Sequence, residues 1–225
     1  MSTTTVAAPS INYYKIAQQM EPGEVRVFRD AQWSDYERLH DQLPPDSHLV
    51  QVSFSEGVLQ LMSTSTLHET YAQFINGMLR LLSLRLRIDI RFFGTATIKK
   101  SRKQKGLEPD ACFYVQTVPQ LGKRLKLDFE VDPPPDVALE VDIYHGSISK
   151  MPIYAALEIP EVWRYDNKTL TIHLLSDGQY QQTDSSAALP MLMAEDLTRF
   201  LDLMKEESEF KAMLDFEDWL NSLKN

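Results

Sequence analysis

The 225-residue sequence has a single cysteine, Cys112, which excludes an internal disulfide framework and any thiolate metal cluster. No uncharged apolar run approaches the roughly 18 residues of a membrane helix, which excludes an integral helical membrane protein. The opening stretch MSTTTVAAPSINYYK lacks both a basic start and a continuous apolar segment. No secretory signal is expected from it, and a cytoplasmic location is. Walker-type glycine-rich loops, nucleophile elbows and paired CxxC motifs are also missing, which argues against nucleotide hydrolysis, serine hydrolysis and zinc fingers. What is present is a composition of 43% hydrophobic and 10% aromatic residues, enough for a substantial core.

The formal charge of -9 hides a division along the chain. Residues 1–79 carry 4 basic and 9 acidic side chains, residues 80–126 carry 12 and 3, and residues 127–225 carry 7 and 20. A block of +9 inside an acidic chain is a candidate footprint for a polyanion. Its densest part is Lys99, Lys100, Arg102, Lys103 and Lys105, read as a loop. These five are the candidate phosphate contacts, which give affinity without reading sequence. Solvated surface charge is the competing reading of the same block.

The patterning predicts one α/β domain over residues 26–193, a disordered segment over 1–25, and an acidic helical extension over 194–225. A short helix starts near Trp33, with Ser34 as cap and Glu37 three residues later. His48–Phe54 and Val58–Met62 form a hairpin around Glu56-Gly57. Apolar residues from Leu67 to Leu82 at three- and four-residue intervals predict a helix over 66–86, capped by Thr64 or Ser65. Ala111–Val115 and Val137–Ile143 are near-continuous apolar strands, suited to the middle of a covered sheet. A helix over 147–157, a hairpin of 161–165 with 169–175, and an edge strand at 179–182 follow.

Acids inside apolar strands are the informative anomaly, since an ionised group is costly to bury without a partner or a metal. Asp110 opens one apolar strand, and Glu140 and Asp142 share one face of the other. If the two strands are neighbours, Asp110 and Glu140 form an oxygen-rich site suited to a hard cation. Lys150 stands near the start of the next helix, with Tyr154 one turn on, and Glu69 beside His68 is a candidate third carboxylate. Two acids and a lysine around a divalent ion suit phosphodiester hydrolysis. Each residue also has a plainer reading. Asp110 can cap a turn after Pro109, Asp136 is a rival first acid, and Lys150 can be a solvated helix residue. Tyr154 can be a core aromatic, and His68 a hydrogen-bonding residue of a helix start rather than a ligand.

The stretches WSDYERL, SEGVLQLMSTSTLHE, EPDACFYV, PPPDVALEVDI, SKMPIYAALEIPEVWRYD and LTIHLLSDGQY lie in order over residues 33–182. The ordered set resembles the Uma-two-type restriction endonuclease family, within the PD-(D/E)XK nuclease superfamily. The resemblance implies a restriction-endonuclease-like α/β core, with a central mixed sheet flanked by helices and a helical C-terminal extension. It implies metal-dependent hydrolysis of DNA, assisted by magnesium or manganese, in a homodimer. Asp110 matches the first acid and Glu140 the second, both metal ligands, and Glu69 matches the helical acid, with His68 beside it. The usual lysine position holds Asp142, so the lysine's counterpart is Lys150 on the following helix, accompanied by Tyr154. Two other classes remain in view. One is a nucleic-acid-binding module that has lost turnover, the other an oligomeric interaction protein working through the acidic C-terminal helix.

Overall fold

The computed structural model describes residues 11–44, 49–143 and 150–223. Order begins earlier than the sequence suggests. Within the segment expected to be disordered, α1 (Tyr13–Ala17) is capped by the Asn12 side chain, which accepts the Lys15 N–H at 2.9 Å. β1 (Val25–Phe28) follows, and residues 1–10 lie outside the described residues. The predicted helix at Trp33 is α2 (Trp33–Gln42), but its cap is not the Ser34 and Glu37 pair. Instead the Gln32 N–H donates to the Asp35 carboxylate at 2.9 Å.

β2 (Gln51–Ser55) and β3 (Val58–Met62) form the expected hairpin; His48 lies outside the described residues. Glu56 and Gly57 both have positive φ, 51° and 75°, as a two-residue type I′ turn demands. α3 (Thr66–Leu86) has the predicted bounds, and the hydroxyl of Ser65 accepts the His68 N–H at 3.3 Å. Its apolar stripe buries Tyr71, Phe74, Ile75, Met78 and Leu82.

β4 (Arg91–Gly94) is followed by β5 (Ile98–Lys100) and β6 (Lys105–Leu107), joined by a 3-10 turn at Ser101–Lys103. The basic stretch is therefore a hairpin and not a loop. Gly106 is required in it, because a Cβ there would collide with the buried phenol of Tyr36. The chain continues through β7 (Ala111–Tyr114), α4 (Val118–Leu121), β8 (Val137–Val141) and α5 (Met151–Ala156). It ends with β9 (Glu161–Tyr165), β10 (Leu170–Ser176), β11 (Gln179–Thr183), α6 (Ala194–Glu206) and α7 (Glu209–Ser222).

Among the described residues the strands build the expected mixed sheet flanked by helices and, beside it, a second sheet. A five-stranded antiparallel sheet has the order β1-β3-β2-β6-β5, and a six-stranded mixed sheet the order β11-β10-β9-β8-β7-β4. Among the described residues only β8 and β9 pair in parallel, in the interior of the mixed sheet, as their apolar runs require. The chain reaches the second sheet at β4, returns to the first for β5 and β6, and crosses again between β6 and β7 at Glu108-Pro109-Asp110.

Alternation assigns each face of the mixed sheet. Val137, Leu139 and Val141 pack with α3, α6 and α7, in a core that also contains Phe200, Phe216 and Leu220. The C-terminal helices are thus part of the main core and not an appendage, since each buried Phe or Leu contributes about 1.5–3 kcal/mol. Ala138 points the other way, into a cluster with Ile153, Tyr154 and Leu157 of the α5 region and Ile98 and Leu107 of the first sheet. Glu140 has the parity of Ala138, which puts its carboxylate between the sheets.

Candidate active site

β7 and β8 pair antiparallel with Ala111 opposite Leu139, and the next step of that register sets Asp110 opposite Glu140. Opposed residues of antiparallel strands project to the same face, so the two carboxylates are neighbours. Both residues are buried, at 5% and 7% exposure.

Asp110 is held from three directions. Gln51 Nε2 of β2 donates to Oδ1 at 2.6 Å, and the Val141 N–H donates to Oδ2 at 2.5 Å. His68 Nε2, at the start of α3, lies 3.1 Å from Oδ2, close enough for an ion pair though poorly aligned as a hydrogen bond. Burial pushes the Asp110 carboxyl upward, but His68, Lys150 and the Val141 N–H outweigh it and hold the group below the ordinary carboxylate range.

Glu140 faces α5. Lys150, the residue before the helix, donates from Nζ to both oxygens, at 3.0 and 2.8 Å. The Tyr154 hydroxyl donates to Oε1. Burial nevertheless raises the Glu140 carboxyl above its usual range, and neighbouring Asp110 adds to the rise against the pull of Lys150. The Lys150 ammonium is also buried, which by itself lowers it, yet Glu140 and Asp110 together hold it above normal. Two adjacent acids pushed in opposite directions are a recurrent property of sites that do acid–base or metal chemistry.

The remaining predicted residues are less closely gathered. Asp142 pairs with Arg164 at 2.6 Å, which neutralises the carboxylate standing in the usual lysine position. Glu69 is exposed and accepts from Gln73 at 2.7 Å, while its neighbour His68 turns inward. Among the described residues no group of three or more His, Cys, Asp and Glu side chains is arranged to hold a metal ion, so the expected trio reduces to a pair. Asp136, the rival first acid, accepts the Val115 and Thr117 N–H groups at 2.7 and 3.0 Å, a structural role.

The donors present still fit a hard divalent cation. Asp110 and Glu140 offer carboxylate oxygens from adjacent strands, and Gln51 Oε1 is buried without a hydrogen-bond partner. Gln51 had no place in the sequence reading. Its signal was there in the polar positions Gln51, Ser53 and Gln60 of an otherwise apolar hairpin, all three buried.

In the basic hairpin, Lys100 and Lys103 both pair with Glu158, at 3.3 and 2.8 Å, and Lys105 pairs with Glu56 at 2.9 Å. Lys99 and Arg102 have no ion pair among the described residues, so the expected set of five phosphate contacts has two unpaired members.

His40 of α2 packs edge-on to Tyr36 and lies 3.8 Å from Glu108. Burial, helped by Lys99, lowers His40 to about 4, so near neutrality the imidazole is uncharged and the contact is not an ion pair. A base whose folded value lies below the unfolded 6.5 stabilises the fold above pH 6.5 and loses that contribution as pH falls. Relative to a His40→Gln variant, the wild type is expected to lose about 3 kcal/mol between pH 6.5 and 4, read by urea denaturation at each pH.

No curated protein matches the chain. Among solved structures, a protein from Anabaena variabilis ATCC 29413 described as "a putative nuclease belonging to DUF820" matches at 13% identity and a TM-score of 0.49. The match covers 75% of this chain and 98% of that one. The profile of the Uma2 family, described as "Putative restriction endonuclease", matches residues 33–203, a span that takes in Asp110, Glu140 and Lys150. The chain belongs to the Uma2 family.

Proposed function

We propose that the protein is a metal-dependent nuclease that hydrolyses DNA phosphodiester bonds at the Asp110–Glu140–Lys150 site, in a homodimer that brings one site to each strand. The observation that carries this reading is the cross-strand acid pair with the Lys150 ammonium on Glu140. Asp110 and Glu140 would hold magnesium or manganese, which when bound polarises the phosphate and lowers the pKa of water. The protein's own residues do the rest. Gln51, His68 and the Val141 N–H fix the Asp110 carboxylate, and Tyr154 fixes Glu140. Lys150 orients the attacking water and offsets charge as the new P–O bond forms and the P–O bond to the sugar breaks. Arg102 and Lys99 supply phosphate affinity without base reading.

Supercoiled plasmid incubated with manganese or magnesium is expected to be nicked and linearised by the wild type. EDTA and Asp110→Asn each abolish this. No cleavage of duplex or single-stranded DNA at saturating metal, or equal rates for wild type and Asp110→Asn, would overturn the reading. One observation favours a binding module without turnover: Lys150 and Tyr154 already occupy both Glu140 oxygens. Retention of DNA with no cleavage under these conditions identifies that case.

A further inference from the structure

A cavity of about 630 Å³ lies beside the acid pair, within the roughly 300–1,000 Å³ of small-ligand pockets. Gln51 links the two, because its Nε2 holds Asp110 while the same residue lines the cavity. Gln51 is 7% exposed and its Oε1 has no hydrogen-bond partner; His40, also in the wall, has an unpartnered Nε2. Phe93, whose ring also packs edge-on to Tyr114 with the Arg91 guanidinium over it, stands in the wall with Thr95 and Thr97. Glu108 accepts from Thr97 Oγ1 at 2.8 Å and from the Val52 N–H at 3.0 Å, which fixes its carboxylate.

The sign of the charge decides what can enter. Asp41, Glu69 and Glu108 all line the cavity, and among the described residues no lysine or arginine does. Three carboxylates repel a phosphate group, so the phosphodiester belongs on the Lys150 side of Gln51. A neutral planar ring with N–H donors on its edge fits instead, since the carboxylates accept those donors and Phe93 stands beside them in the wall.

We propose that this cavity takes one unpaired nucleobase of the substrate, its amino-bearing edge toward the carboxylates. The inference deepens the nuclease reading and rests on it for the identity of the neighbouring phosphate. Extrusion of a base is easiest where the base is already unpaired, so single-stranded or bulged DNA is the preferred substrate. Adenine, cytosine and guanine carry an exocyclic amine and thymine does not.

The test titrates each of the four deoxynucleosides into the full-length chain in EDTA, followed by NMR. Deoxyadenosine, deoxycytidine and deoxyguanosine are expected to bind saturably, with thymidine at least about tenfold weaker. Phe93→Ala, which removes the ring, is expected to cost about tenfold. Asp41→Asn, on an exposed position that leaves folding intact, is expected to narrow the difference between thymidine and the others. In parallel, cleavage of bulged over fully paired DNA is compared between wild type and Asp41→Asn, and the preference should shrink in the variant. Absence of saturable nucleoside binding, or binding unchanged in both variants, overturns the proposal even if the protein cuts DNA. Nucleoside binding by a protein that cuts no DNA overturns the nuclease reading and leaves the base pocket standing.

Discussion

Glu140→Gln is expected to reduce metal-dependent DNA cleavage by roughly 10²–10³-fold, the scale seen when one group stabilising transition-state charge is removed. The substitution keeps the volume of the side chain and leaves the Tyr154 hydroxyl an oxygen to donate to. It removes the charge that a divalent ion would meet. Stability is expected to change little, because two effects oppose. The variant no longer desolvates a carboxylate, while Lys150 loses its closest partner but remains in the field of Asp110 and Asp142. A thermal melt beside the cleavage assay separates lost chemistry from lost folding. A stable variant that cleaves at the wild-type rate would remove Glu140 from the mechanism.

Lys150→Met is expected to act in the opposite way, with a large loss of stability. Removing one partner of a buried ion pair costs about 3–5 kcal/mol, because the other charge is left desolvated. Here that charge is Glu140, buried between the sheets with Asp110 beside it. Glu140 can escape only by taking up a proton, which gives the loss a direction in pH. Its folded value, already raised, rises further without Lys150. An acid raised in the folded state costs nothing below the unfolded value near 4.5 and costs progressively more as pH climbs through the folded value. The deficit of the variant, measured by urea denaturation in EDTA, should therefore be small near pH 4 and largest near pH 8. A deficit that is constant with pH would mean that Lys150 contributes packing rather than charge.

Much of this site was legible in the sequence, for identifiable reasons. Glu140 among Val, Ala and Leu is an energetic anomaly that any fold must answer, and strand parity fixed which residues share its face. The bounds of α3 followed from a stripe of apolar residues and a serine cap. The assignment of Glu69 over His68 shows where such reading ends. One residue on a helix is about 100° of rotation, enough to exchange an exposed carboxylate for the imidazole that meets Asp110. Gln51 was missed because its partner lies 59 residues away and in the other sheet. The ion pairs of the basic hairpin were out of reach for a similar reason, since Glu158 is 55 residues from Lys103 and 58 from Lys100. β6 and α1 are too short for periodicity to reveal. The separation into two sheets depends on crossings after β3, after β4 and at Glu108-Pro109-Asp110, which no local pattern announces.

Calorimetric titration of manganese into the wild type and Glu140→Gln tests the central claim, that the acid pair is a metal site. Saturable binding by the wild type, weakened at least about tenfold or abolished in the variant, is the predicted result. Absence of wild-type binding at millimolar manganese, or equal binding by both proteins with both folded, would contradict it.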